Sequence, residues 1–86
     1  MKDKISTNAI SYTDTQGQYL AFIFYYIKLN GIAPAQTDFQ KYFGVTPPTV
    51  HQMILQLEKN KLISRIPGKA RAIKLCIPED QIPKLK

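Results

Sequence analysis

A chain of 86 residues has room for one small domain, and 44% hydrophobic residues with an ordinary charged fraction mark it as globular rather than disordered. Twelve Lys and Arg against six Asp and Glu leave a formal charge of +6, an excess that calls for an anionic partner, either nucleic acid or a membrane surface. No run approaches the roughly 20 apolar residues of a membrane span, the opening stretch Met1 to Asn8 has no signal-peptide pattern, and Cys76, being alone, excludes an internal disulfide and a cysteine-built metal site, so a cytoplasmic protein is expected.

Residues 1–12 are polar with scattered apolar positions and read as a loose arm. Asp14 and Thr15 are placed to cap a first helix that runs to about Asn30, with Gly31 where a left-handed closing residue would sit. On that helix Tyr19, Leu20, Ile23, Tyr26 and Ile27 share one side at helical spacing, while Gly17 weakens its start slightly. Pro34 disfavours a helical Ala33, so Ile32-Ala33-Pro34 is an extended connector. A second, short helix fits Gln36 to Phe43, with Phe39 and Phe43 inward, and Gly44 ends it. Thr46 is placed to cap a third helix whose first position is Pro47, where a missing N–H costs nothing. This helix reaches about Asn60 and would bury Val50, Met53, Ile54 and Leu57.

The period then changes. Leu62 to Ile66 and Ala72 to Ile77 are partly alternating and rich in Ile, as strands are, and Pro67-Gly68-Lys69-Ala70-Arg71 between them is a short basic turn. Such a hairpin is unstable alone and should pack on the helices. Cys76 is expected as a small buried apolar residue. Residues 78–86, with two prolines, are expected to trail over the surface. The fold class is therefore α+β, mostly α, with three helices and a two-stranded β-hairpin over residues 13–77, an arm at 1–12 and a tail at 78–86.

Helix, tight turn and helix, followed at once by a hairpin with a basic tip, is the order of a winged helix-turn-helix, whose second motif helix enters the DNA major groove. The segments Gly31 to Pro34, Phe39 to Gly44, Thr49-Val50-His51, Leu57 to Ile63 and Lys69 to Ile73 give the resemblance a family. Together they resemble the N-terminal DNA-binding domain of LexA repressors, above all the form of Gram-positive bacteria, over roughly residues 13–77. The Leu57-to-Ile63 part is common to many winged helices; Thr49-Val50-His51 and the wing sequence carry the likeness. Two departures stand out: Ala35 occupies the position where the family usually carries a Thr or Ser cap, and Ala70 replaces a frequent proline. The resemblance also implies that the family's linker and latent Ser–Lys self-cleaving half would begin where this sequence stops, so the DNA-reading half is expected without the damage-response switch.

With Val50, Ile54 and Leu57 facing the core, a step of about 100° per residue turns Thr49, Gln52, Gln56 and Lys59 outward, with His51 at the edge. Thr49 can meet a thymine methyl or a phosphate, and Gln52 or Gln56 can pair with adenine. Likeness to the family's base-reading segment adds weight to Thr49 and His51. Lys69 and Arg71 on the wing are the expected backbone or minor-groove contacts, with Thr46 and Lys59 at the ends of the recognition helix and Lys41 and Arg65 peripheral. Lys74 reads as a solubilising charge. Phe22, Tyr25 and Leu29 lie at i, i+3 and i+7 on the first helix, roughly opposite the core stripe, and are expected to form a homodimer or partner surface unless the arm or tail folds over them.

An enzyme is not expected: the chain has one His and one Cys and no motif for metal hydrolysis, phosphate cradling or nucleophilic catalysis. No cofactor or small-molecule ligand is implied. The competing reading is a winged helix that binds protein through the aromatic stripe and never touches DNA. A peripheral membrane role is disfavoured because the basic residues do not share one amphipathic helix.

Overall fold

Thr13, rather than Asp14 or Thr15, starts the first helix. In the computed structural model, which describes residues 11–86, the Thr13 hydroxyl accepts the Gln16 N–H at 3.1 Å while the Gln16 side chain accepts the Thr13 N–H at 3.0 Å. This reciprocal capping box satisfies two otherwise orphaned donors. The arm expected over residues 1–12 lies outside the described residues except for Ser11 and Tyr12. Helix α1 runs from Asp14 to Asn30 and closes on Gly31, whose φ of 75° lets its N–H reach the Ile27 carbonyl at 2.7 Å.

Helix α2 (Gln36–Phe43) and helix α3 (Pro47–Lys59) follow, separated by Gly44 at φ 65°. The Gln40 carbonyl accepts from both Gly44 and Val45, which sets the angle of the turn. At the end of α3, Lys61 adopts a left-handed φ of 61°, and the Lys61 and Leu62 N–H groups return to Glu58 and Leu57. Those two bonds are a Schellman closure with Lys in the place usually held by Gly. Strands β1 (Ile63–Arg65) and β2 (Ile73–Leu75) pair antiparallel, Ile63 opposite Leu75 and Arg65 opposite Ile73. The strands are shorter than the sequence suggests, but bonds from Cys76 to Leu62 and from Ile66 to Ala72 prolong the ladder at both ends. The whole is a winged helix-turn-helix.

Its core is mostly aromatic where α1 meets α2. Tyr19 stacks on Phe43 with ring centroids 4.3 Å apart and on Phe39 at 5.5 Å, and Phe22 packs against Phe39 at 5.0 Å and Phe43 at 5.6 Å. Burial raises the Tyr19 phenol above its ordinary range. Val50, Ile54 and Leu57 of α3, with Leu62 and Ile63, complete the cluster.

Phe22 therefore does not belong to an outer stripe. It is 7% exposed and lies under Tyr42, its ring 4.8 Å away. Every residue from Tyr19 to Ile23 is buried, because α1 is covered on more than one side. Only Tyr25 and Leu29 of the expected stripe remain open, beside Lys84 and Leu85 in a shallow apolar groove.

Cover on the second side comes from the tail. A short 3₁₀ turn at Glu79–Gln81 redirects the chain along α1. Gln18 there donates to the Lys84 carbonyl at 3.0 Å and accepts from the Lys86 N–H at 2.8 Å, and the Tyr12 hydroxyl donates to the Gln81 carbonyl at 2.5 Å. Tyr42 of α2 donates to the main-chain oxygen of Lys86 at 2.8 Å. Cys76, expected inside, is exposed: Leu75 and Ile77 take the inward positions of the alternating strand, so the residue between them faces out.

Gly17 belongs to this packing. A Cβ there would meet the Tyr12 ring at 2.8 Å and Pro83 at 3.1 Å. In an open helix Gly→Ala adds roughly 1 kcal/mol of stability; here Gly17→Ala should lower Tm in a thermal melt followed by circular dichroism. In a Tyr12→Ala background the same change should be neutral or stabilising, and a Tm gain in the parent chain would refute the close-packing account.

Candidate nucleic-acid interface

Helix α3 is anchored through three fully buried side chains, Val50, Ile54 and Leu57, which leaves the opposite side to solvent. Thr49, His51, Gln52, Gln56 and Lys59 are all exposed. At about 100° per residue, Pro48, Gln52, Leu55 and Lys59 lie nearest the centre of the outward face. Leu55, 37% exposed, was not among the expected contacts although the same angular count reaches it. A thymine methyl is the base feature that suits such a side chain. Gln56 lies toward α1, where its Oε1 accepts from Gln16 Nε2 at 3.4 Å.

Thr46 holds the cap position of α3 by backbone geometry, but its hydroxyl makes no cap bond to the helix. It pairs instead with the Thr49 hydroxyl at 3.0 Å, and both residues are exposed. With Pro47 and Pro48 contributing no N–H, the start of α3 presents two hydroxyls and no acid in its first turn. Lys41 on α2 and Lys69 on the wing are exposed, as is Lys74.

The other two wing cations are paired within the protein. Arg65 Nε donates to Glu58 Oε1 at 3.0 Å, from β1 to the end of α3. Arg71, in left-handed backbone at φ 56°, reaches away from the wing tip. Its NH1 lies 3.2 Å from the Tyr26 hydroxyl, 3.1 Å from the Ala33 carbonyl and 3.2 Å from Asp38 Oδ2. The bond to Tyr26 outweighs the opposing effect of desolvation and holds this guanidinium above its ordinary pKa, with the Asp38 charge adding a smaller contribution in the same direction. Both acids within the helix-turn-helix, Glu58 and Asp38, are thus neutralised by wing arginines, and the outward face of α3 carries no acid at all. Between the wing and the start of α2 runs a cleft of about 280 Å³ lined by Gln36, Thr37, Arg65, Lys69, Arg71 and their apolar neighbours. Among the described residues no group of three His, Cys, Asp or Glu side chains could hold a metal, and no helix is long and apolar enough to cross a membrane.

These elements define a winged helix-turn-helix protein whose second motif helix is held by its inner face and open on its outer one. The family model for the LexA DNA binding domain matches residues 10–72, and the chain belongs to that family. It is 37% identical over 70 residues to the LexA repressor of Thermosipho melanesiensis, covering 81% of this chain and 35% of that protein. It is 41% identical over 63 residues to the LexA repressor of Thermosipho africanus (73% and 32% covered), and 41% identical over 65 residues to LexA repressor 2 of Xanthomonas campestris pv. campestris (74% and 30% covered). The chain spans about a third of the length of these curated relatives.

Helix α2 shows a departure with a measurable cost. Ala35 sits at its cap with no side-chain acceptor, so only half of a capping arrangement forms: the Ala35 N–H donates to Asp38 Oδ2 at 2.7 Å. Ala35→Thr should supply the missing acceptor and add about 1 kcal/mol, a rise in Tm of roughly 4–8 °C for a domain of this size. A melt unchanged by the substitution would mean that the Asp38 bond alone satisfies the helix start.

Proposed function

We propose that this protein binds double-stranded DNA sequence-specifically and acts as a small transcriptional regulator. Helix α3 lies in the major groove in this reading, with wing residues 67–71 on the backbone or in the minor groove. The observation that carries it is the exposed, acid-free outer face of α3 in a chain of the LexA DNA-binding family. Anions as dense as duplex phosphates repel surface carboxylates strongly, so a face free of them beside exposed lysines suits this partner. The relatives bear the name repressor, and repression is the role we assign.

Thr49, His51, Gln52 and Gln56 are the base readers in this proposal, with Leu55 as an apolar addition. Gln56 starts from its bond to Gln16 and would exchange a weak 3.4 Å contact for a base edge. Lys69, Lys41, Lys59 and Thr46 serve the phosphates. Arg65, held by Glu58, contributes field more than contact. The rival reading, a protein-binding stripe on α1, loses one of its three residues with the burial of Phe22.

Fluorescence-anisotropy titration of labelled duplexes at several salt concentrations tests the proposal. Affinity should fall steeply with salt, with a slope of about −0.9 in the log–log plot for each phosphate neutralised. Lys69→Ala should weaken binding to every duplex and reduce that slope by about 1. Gln52→Ala should leave non-specific binding alone and erode preference for the best duplex by about 1–3 kcal/mol. Absence of duplex binding at low salt would sink the proposal.

A further inference from the structure

A three-residue strand pair does not fix its own angle to a helix bundle, since isolated hairpins are marginal in water. Something must hold the outer part of the wing, and the cleft of about 280 Å³ beneath it shows that apolar packing does not fill that role on the α2 side. Arg71 spans the gap. Its NH1 meets Tyr26 in the last turns of α1, the Ala33 carbonyl in the connector and Asp38 in the first turn of α2. The guanidinium also lies 6.0 Å from the Tyr26 ring centroid, within cation–π range. Asp38 Oδ2 simultaneously accepts the Ala35 N–H at 2.7 Å, so the carboxylate that starts α2 is the one that receives the wing. Arg71 reaches these partners from a left-handed backbone, a conformation costly for a residue with a Cβ and tolerated where the surroundings require it.

We propose that Arg71 is a positioning residue rather than a DNA contact: with Asp38 as its receiver it latches the wing to α1 and α2 and fixes the wing's angle to the recognition helix. The latch rests on the DNA-binding reading for its purpose but not for its existence.

The test compares Arg71→Ala, Asp38→Asn and the double variant in the full chain. Asn keeps an oxygen for the Ala35 N–H, so α2 retains its start, while the charge that holds Arg71 to that same oxygen is lost. Removing a negative charge should by electrostatics alone strengthen binding to a random duplex; the latch instead requires Asp38→Asn to weaken it. Each single change should cost about tenfold in affinity and the double no more than either single, the non-additivity of two partners in one contact. The salt slope should stay unchanged in Arg71→Ala, whereas a phosphate contact would lower it by about 0.9. Backbone ¹⁵N relaxation of residues 66–72 without DNA should show increased mobility in both single variants, while α3 stays as rigid as in the parent. Tighter binding by Asp38→Asn, a lowered slope in Arg71→Ala or an unchanged wing in the relaxation data would each overturn the latch. If Arg71→Ala does not fold, Asp38→Asn alone carries the comparison. If the parent chain binds no duplex, the DNA-binding reading fails while the relaxation data still decide the latch.

Discussion

The fold depends first on the aromatic contact between α1 and α2. Tyr19 and Phe22 on one helix each pack their ring against both Phe39 and Phe43 on the other, in stacked, tilted or edge-on pairs. Aromatic side chains bury the largest area per residue and prefer a few relative orientations, so this contact fixes both distance and angle. Helix α2 then fixes α3 through the Gly44 turn, and α3 fixes β1 through its Schellman closure at Lys61. A small domain buries too little surface to hold several independent anchors. Helix α3 is thus positioned by a chain of short-range constraints that begins in one cluster.

Charge is arranged around that framework with a consistent division. Arg65 and Arg71 are turned inward to Glu58 and Asp38, while Lys41, Lys59 and Lys69 remain exposed. Arginine suits the first task because its always-charged guanidinium is weakly hydrated and gives up little on entering an ion pair, and lysine the second because a flexible, hydrated ammonium can follow a phosphate without a fixed geometry. Pairing both acids with arginines also removes the negative charges that would face a polyanion. Membership of the LexA DNA-binding family and this division point the same way.

Some features were legible because they depend on neighbours in sequence. Gly31 and Gly44 end their helices as their positions suggested, Pro47 sits at the start of α3, and the alternation of Ile73, Leu75 and Ile77 places the strand's inner face. The same alternation could have put Cys76 outside, had the strand rule been preferred to the general tendency of cysteine to be buried. Phe22 was misplaced for a different reason. A helix projection finds the most apolar side but cannot show how many neighbours surround the helix, and α1 has both α2 and the tail against it. Gly17, read as a mild weakness, is the site of close approach by Tyr12 and Pro83 from distant parts of the chain.

Sequence by itself determined the elements, their order, the winged helix-turn-helix class and the residues that α3 turns outward, because turn chemistry and hydrophobic period act over a few residues. It also held the segments by which the family is known. Tertiary structure alone decided which charges stay available. Arg71 stands 33 positions from Asp38 and 45 from Tyr26, and Arg65 is separated from Glu58 by a helix end and a turn. Electrostatic pairing depends on distance in space, and no local pattern records which cation will find an acid when the wing folds back on the helices.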